Sequence, residues 1–196
     1  MGPGDQDADL WSDCGSLMKP FLYVAISVGS IIAGSIGVAQ AHAIPTFHGV
    51  PLSCIRNAST RYGLRTAIVF AILRTEDGRV GTVSPDPNGT DDLGPAQVNT
   101  CHLPFLQSYG YTFQTLAGNP CANVAAGAWI FARCLSATHN VLDAAACYNA
   151  GSRPWLAWDS GYVSRFAHYL GVPVPVRHKP NYYGMGLSLV GFSHSG

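Results

Sequence analysis

Residues 67–73 read Ala-Ile-Val-Phe-Ala-Ile-Leu, seven apolar side chains in succession, and Glu76, the only glutamate in the chain, stands three positions later. A segment apolar on every side must be covered on every side, so the rest of the chain has to be built around it. Periodicity alone allows a buried strand or a buried helix. With helical patterns on both flanks, the segment is read as a central helix ending near Glu76. The remainder can supply that cover: 47% of the 196 residues are hydrophobic, enough for one domain with a sizeable core. The scarcity of Glu is itself unusual, because ten of the eleven acidic residues are Asp although Glu is the better helix former.

Helical spacing recurs along the chain. Ile55, Ala58, Ser59 and Tyr62 share one face, and Gly63 supplies a stop. Asn119-Pro120 is an N-cap followed by a first-turn proline, and Cys121, Val124, Ala128, Phe131 and Leu135 form a stripe to about residue 136. Another helix is expected from about His139 to Tyr148, and a last one from the face Val163, Phe166, Ala167 and Leu170. Residues 78–98 break the pattern with Gly78, Gly81, Pro85, Pro87, Asn88-Gly89 and Gly94; β-prone runs at Val80–Val83 and Gln97-Val98 predict a small irregular sheet with a hairpin at Asn-Gly. The expected class is mainly α, a helical bundle with a small β-hairpin beside it. From Gly171 the composition turns to Pro and Gly, which predicts an extended tail over 171–196.

The amino terminus has a different character. Residues 1–17 are acidic, and Met18-Lys19-Pro20 then precedes an apolar stretch, Phe21 to Val38, that closes in Ala39-Gln40-Ala41-His42-Ala43. A basic residue, an apolar segment and small-x-small sites read as a secretory signal, with Met18 the more natural start. An uncleaved membrane anchor is the alternative, since the stretch is just long enough to span. Cleavage would leave residues 44–196, with ten Lys/Arg against seven Asp/Glu. The net charge of +0 for the full chain disfavours a nucleic-acid binder, and the slight excess in residues 44–196 suits an anionic extracellular polymer. Cys54, Cys101, Cys121, Cys134 and Cys147 show no C-x-x-C spacing, so disulfides fit better than zinc. Their odd number predicts one thiol left free or paired between molecules.

A carboxyl held against apolar surface favours its neutral form, because desolvation penalises the charge. Glu76 could thus stay protonated near neutral pH and act as a general acid. The alternative is a helix-terminal Glu paired with Arg74 or Arg79. Other candidates are weaker. His48, His102, His139 and His168 lack metal-ligand spacing, and no cofactor is implied. Cys147 and His102 nominally offer a thiol and a base, though oxidised cysteines compete with that reading. Tyr109, Tyr111, Trp155 and Trp158 could stack on sugar rings or simply pack. Asn57-Ala58-Ser59 and Asn88-Gly89-Thr90 match the glycosylation pattern.

After Glu76 come Asn88-Gly89-Thr90-Asp91-Asp92-Leu93-Gly94-Pro95-Ala96-Gln97-Val98-Asn99 and, later, Ala145-Ala146-Cys147-Tyr148-Asn149-Ala150-Gly151. A Glu ending a buried helix, a G-x-x-Q segment and a Y-N-A-G segment, in that order, resemble the lytic transglycosylases of the goose-type lysozyme superfamily. The likeness is closest to the small secreted members that accompany conjugation, type IV secretion and pilus-assembly machines, and covers about residues 53–170. It implies a lysozyme-like fold, Glu76 as catalytic acid/base, Gly94 and Gln97 lining a sugar cleft, Tyr148 orienting the acid, Asn149 contacting substrate, and a Cys54–Cys121 disulfide. Among Cys101, Cys134 and Cys147 no pair is singled out. Asp77 stands where many relatives have Ser, and Pro95-Ala96 where Leu-Met is common.

The implied reaction breaks the β-1,4 bond between N-acetylmuramic acid and N-acetylglucosamine of peptidoglycan without water, leaving 1,6-anhydro ends, in the periplasm or cell wall. A membrane would be touched only through an uncleaved signal segment. One acid suffices for that chemistry, whereas hydrolysis calls for a second carboxylate. Asp91 or Asp92 would fill that role in a muramidase, with Asp77 and Asp86 as further rivals. A peptidoglycan-binding assembly protein without catalysis is the remaining reading.

Overall fold

The computed structural model describes residues 46–175, so the expected leader and signal segment, and the tail beyond 175, lie outside the described residues. Eight helices dominate: α1 (Leu52–Arg61), α2 (Thr66–Glu76), α3 (Leu103–Leu106), α4 (Phe113–Gly118), α5 (Pro120–Thr138), α6 (Val141–Ala150), α7 (Pro154–Asp159) and α8 (Tyr162–Leu170). β1 (Thr46–Phe47) pairs antiparallel with β2 (Val50–Pro51), and β3 (Val83–Pro85), β4 (Asp91–Leu93) and β5 (Val98–Asn99) form a three-stranded antiparallel sheet. The mainly helical, lysozyme-like class expected from the sequence is what the chain adopts. No helix among the described residues is long and apolar enough to cross a membrane.

The apolar run is helical. In α2, Ile68, Val69, Ala71, Ile72, Leu73 and Thr75 are buried, while Ala67 and Arg74 reach solvent. α2 packs on α1 and α8, and α5 packs on α1, α4 and α6. Phe131 of α5 and Phe166 of α8, both fully buried, stack at 5.6 Å between ring centroids. Each such side chain contributes roughly 1.5–3 kcal/mol by leaving water. α6 turns Ala144, Ala145, Ala146 and Ala150 inward, small side chains that let neighbouring helices approach.

Caps explain where the helices begin. Asn119 Oδ1 accepts from the amides of Cys121 and Ala122, with Pro120 in the first turn of α5. Asn140 does the same for α6 through Leu142 and Asp143. Each cap is worth about 1 kcal/mol. The helix expected to start at His139 therefore starts at Val141, because His139 ends α5 in the left-handed region at φ 53°. Likewise Val80 and Gly81 lie in a turn, so β3 begins only at Val83.

Two disulfides tie the helices together. Cys54–Cys121, as the resemblance implied, joins the starts of α1 and α5 across 67 residues, and Cys134–Cys147 joins α5 to α6 across 13. In the chain-entropy account they contribute about 4 and 3 kcal/mol respectively. The free thiol expected from the odd cysteine count is not found: no cysteine among the described residues is free.

Candidate active site

Glu76 is the last residue of α2, and the backbone turns away at Asp77, which is left-handed at φ 49°. Glu76 keeps some exposed surface, yet protein surrounds its carboxyl. Oε1 accepts a hydrogen bond of 2.5 Å from the hydroxyl of Tyr162, a fully buried residue in the first turn of α8. Burial raises the Glu76 pKa from the ordinary 4.5 to about 8, and the charge of Asp92 adds to the rise; the Tyr162 hydrogen bond and the charge of Arg165 oppose it. The carboxyl is thus neutral at neutral pH. Arg74, one candidate for an ion pair with Glu76, instead sits over the rings of Phe47 and Tyr169.

The turn 94–97 lies against the loop that follows Glu76: a Cβ on Gly78 would fall 2.2 Å from Gly94 O and 2.8 Å from Gln97 Nε2. Gly94 adopts φ 64°, and a Cβ there would fall 2.6 Å from Asn123 Nδ2 and 2.7 Å from Leu116 O, so both its backbone and its surroundings require glycine. Its carbonyl accepts from the Gln97 backbone amide at 3.1 Å and from Gln97 Nε2 at 2.8 Å. Two elements pin the turn from behind. Asn123 of α5, with no exposed surface, accepts from Ala96 N (2.7 Å) and donates to Leu93 O (2.6 Å) and Leu116 O (2.9 Å). Tyr148 of α6 donates to Ala96 O at 2.6 Å. Gly127 opens the space for this junction, since a Cβ there would lie 2.8 Å from Ala96 Cβ and 3.0 Å from the Tyr148 hydroxyl.

The hydroxyl of Tyr148, the residue expected to orient the acid, makes its hydrogen bond to Ala96 O. α6 delivers its hydroxyl to the 94–97 turn, while Glu76 is bonded by Tyr162, which the sequence reading missed. Tyr148 nevertheless lies within the field of Glu76, whose charge helps raise its pKa after burial does. Asn149, its neighbour, is half-buried.

The two aspartates separate. Asp92 Oδ1 accepts from Asn99 Nδ2 at 2.9 Å, and its charge reaches both Glu76 and Tyr148. Asp91 is not among the charges acting on Glu76; its backbone amide donates to Thr100 Oγ1. Asp86 joins the same network through Asn99 Nδ2 at 3.0 Å, and Asp77 pairs with His48. Cys147 is in a disulfide, which removes the thiol-nucleophile reading. Desolvation lowers buried His102 to a pKa of about 4, so it is uncharged near neutral pH. Tyr109 and Trp155 are exposed, whereas Tyr111 and Trp158 are half-buried. No group of three or more His, Cys, Asp or Glu suited to a metal occurs among the described residues.

Signals for the missed residues existed. Tyr162 lies four positions before Phe166 on the face read as buried, so its polar tip needed an internal partner. Asn123 interrupts the apolar sequence in the first turn of α5, and an Asn in apolar company on a helix marks a buried hydrogen-bonding anchor.

The family described as Transglycosylase SLT domain matches residues 53–165. "Invasion protein IagB" of Salmonella typhimurium is 28% identical over 102 residues, covering 52% of this chain and 64% of that protein. "Protein IpgF" of Shigella flexneri is 29% identical over 102 residues, covering 52% of this chain and 67% of that protein. The chain therefore matches about two thirds or slightly less of the length of these relatives.

Proposed function

This chain belongs to the transglycosylase SLT domain family, and from that premise we propose that it is a peptidoglycan lytic transglycosylase with Glu76 as its acid and base. The observation that carries the reading is a glutamic acid kept neutral up to a pKa of about 8 beside a phenol that fixes its Oε1. With Oε1 taken by Tyr162, the proton sits on Oε2, available to a bound glycan. Glu76 transfers it to the glycosidic oxygen as the bond from C1 of N-acetylmuramic acid breaks, so the leaving N-acetylglucosamine departs as a neutral alcohol. The carboxylate then takes the proton from the muramoyl 6-hydroxyl as that oxygen bonds to C1. The proton returns to Glu76, no water is consumed, and the product carries a 1,6-anhydro end.

In this reading Gly94 and Gln97 line the sugar cleft, and Asn149 contacts the substrate. The pinned 94–97 turn supports it, because a backbone held from behind by Asn123 and Tyr148 presents a fixed surface to substrate. The family supports action on peptidoglycan in the periplasm or cell wall, and we infer that the chain opens the glycan locally for a secretion, conjugation or pilus apparatus.

Asp92 favours one second reading, hydrolysis by a muramidase, because its charge reaches Glu76 and Asn99 holds it. Digestion of purified peptidoglycan followed by mass spectrometry separates the two. Anhydro ends that vanish in Glu76→Gln support the lytic reaction, while reducing ends alone would establish hydrolysis. Binding without any cleavage would leave only an assembly role.

A further inference from the structure

We propose that the β1–β2 hairpin is a positioning clamp for Glu76, acting through the contact between His48 and Asp77. The proposal rests on Glu76 being the acid, as argued above, and adds what holds its helix end in place.

Phe47 pairs with Val50, leaving His48-Gly49 as a two-residue turn. Both have positive φ, 52° and 79°, the sign pattern of the tight turn favoured between twisted strands. Gly meets that demand freely, but His48 must hold a backbone that side chains disfavour. Its Nδ1 lies 3.4 Å from Asp77 Oδ1. Asp77, directly after Glu76, is itself left-handed at φ 49°. Two residues in uncommon backbone conformations thus meet through their side chains, one on the hairpin and one at the hinge behind the acid.

Other contacts put the hairpin along the same end of α2. Phe47 meets Phe70 edge-on at 5.1 Å, and the Arg74 guanidinium lies 5.5 Å from the Phe47 ring. Phe70, Arg74 and Asp77 are spaced i, i+4, i+7, one helical face continued into the cap. A Cβ on Gly49 would come 3.4 Å from Val80 Cγ2, so the turn also rests on the loop beyond Asp77. Arg74 is 5.6 Å from the ring of Tyr169 on α8, the helix that carries Tyr162. The hairpin therefore braces, from outside, the end of α2 that carries Glu76, and Arg74 links that end to α8.

Loosening this brace admits water to the carboxyl and lets its charged form be solvated, moving its pKa down toward 4.5. The groups whose charges interact with Glu76 are Tyr162, Tyr148, Asp92 and Arg165, and the variants below leave all four in place. A midpoint lowered from about 8 reduces the protonated fraction near neutral pH, and turnover with it.

The test uses the lone glutamate. Protein labelled with 13C-glutamate carries one glutamate carboxyl signal, because Glu76 is the only one in the chain. His48→Ala removes the hairpin's partner. Asp77→Gly removes the carboxylate while easing the left-handed backbone, so it separates the contact from the turn. In both, with circular dichroism unchanged, the midpoint should fall from about 8 and turnover of soluble glycan strands should drop near neutral pH, with KM changed less. A folded His48→Ala or Asp77→Gly protein that keeps the wild-type midpoint and turnover overturns the clamp. The titration needs no substrate, so its shift would stand even if wild-type protein failed to cleave glycan. Conversely, a cleaving enzyme with an unmoved midpoint would sink the clamp alone.

Discussion

The hydroxyl of Tyr162 lies 2.5 Å from Oε1 of Glu76 and joins two residues 86 positions apart in the chain. It favours the charged carboxylate while burial disfavours it, and burial is the larger effect. Tyr162→Phe keeps the packing of α8 and deletes only the donor. The Glu76 midpoint should then rise above about 8, and the alkaline limb of activity should move up with it. Turnover at neutral pH should fall, because the carboxyl loses the bond that orients it. Carboxyl titration and a pH–rate profile check both, and a midpoint that stayed put or fell would contradict the assigned contact.

Glu76→Gln makes a stability prediction as well as an activity one. Proton transfer by a positioned acid is worth about 10²–10⁴-fold in rate, so turnover should fall by at least that range. The folded carboxyl has its pKa raised from 4.5 to about 8. Below pH 4.5 both folded and unfolded chains are protonated there, and that contribution to stability is whole. Between 4.5 and about 8 the unfolded chain releases the proton that the folded one keeps, so stability declines as pH rises. Above about 8 the decline stops. Glutamine does not titrate and can still accept from Tyr162. The variant should therefore gain on wild type as pH rises through this window, by at most roughly 5 kcal/mol. Urea unfolding at pH 4 and pH 9 measures the gain, and an equal difference at the two pH values would refute it.

Asn123→Ala should damage stability and site together. It strips partners from Leu93 O, Leu116 O and Ala96 N, all served by one buried carboxamide. Leaving buried backbone groups unpaired costs about 1–3 kcal/mol each, so a loss of at least about 3 kcal/mol is expected in denaturant unfolding. Because the 94–97 turn loses its anchor, KM for glycan should rise in the protein that remains folded. Asn123→Asp keeps an acceptor for Ala96 N but turns a buried carboxylate oxygen on the carbonyls of Leu93 and Leu116, so at neutral pH it should lose at least as much stability as Asn123→Ala.

What was legible in the sequence follows from range. α2 and α5 announced themselves through apolar runs and a cap, local signals that burial then confirmed at Ile72, Leu73, Val124 and Phe131. The weaker α4 opens with a capping box closed by Thr115 rather than Glu or Gln, and so escaped the usual pattern. α7 has a single helical turn and a half to show a period, and β1 and β2 have two residues each. Glu76, Gly94 and Gln97 could be named from motif order, but which phenol meets the acid could not. Tyr148 and Tyr162 both lie on buried helix faces, and periodicity gives a face, not the point where a side-chain tip lands. The Cys134–Cys147 pairing was equally out of reach, since it depends on α5 and α6 lying side by side.

Asp92 and Glu76 set the last expectation. The Asp92 charge raises the pKa of Glu76, and Asn99 Nδ2 holds the Asp92 carboxylate at 2.9 Å. Asp92→Asn removes that charge with little change of shape. Two consequences diverge. If Asp92 acts on the acid only through its field, the Glu76 midpoint falls somewhat below about 8, activity weakens mainly on the alkaline side, and anhydro ends remain the product. If Asp92 instead activates water or traps the glycosyl cation, release of reducing ends collapses at every pH while the carboxyl titration moves no further than before. Digestion in 18O-water makes the distinction direct, since hydrolysis places the label on the new reducing end and the lytic reaction incorporates none. The single-acid mechanism expects unlabelled anhydro product from wild type and Asp92→Asn alike, with Asp91→Asn closer to wild type because Asp91 is not among the charges acting on Glu76.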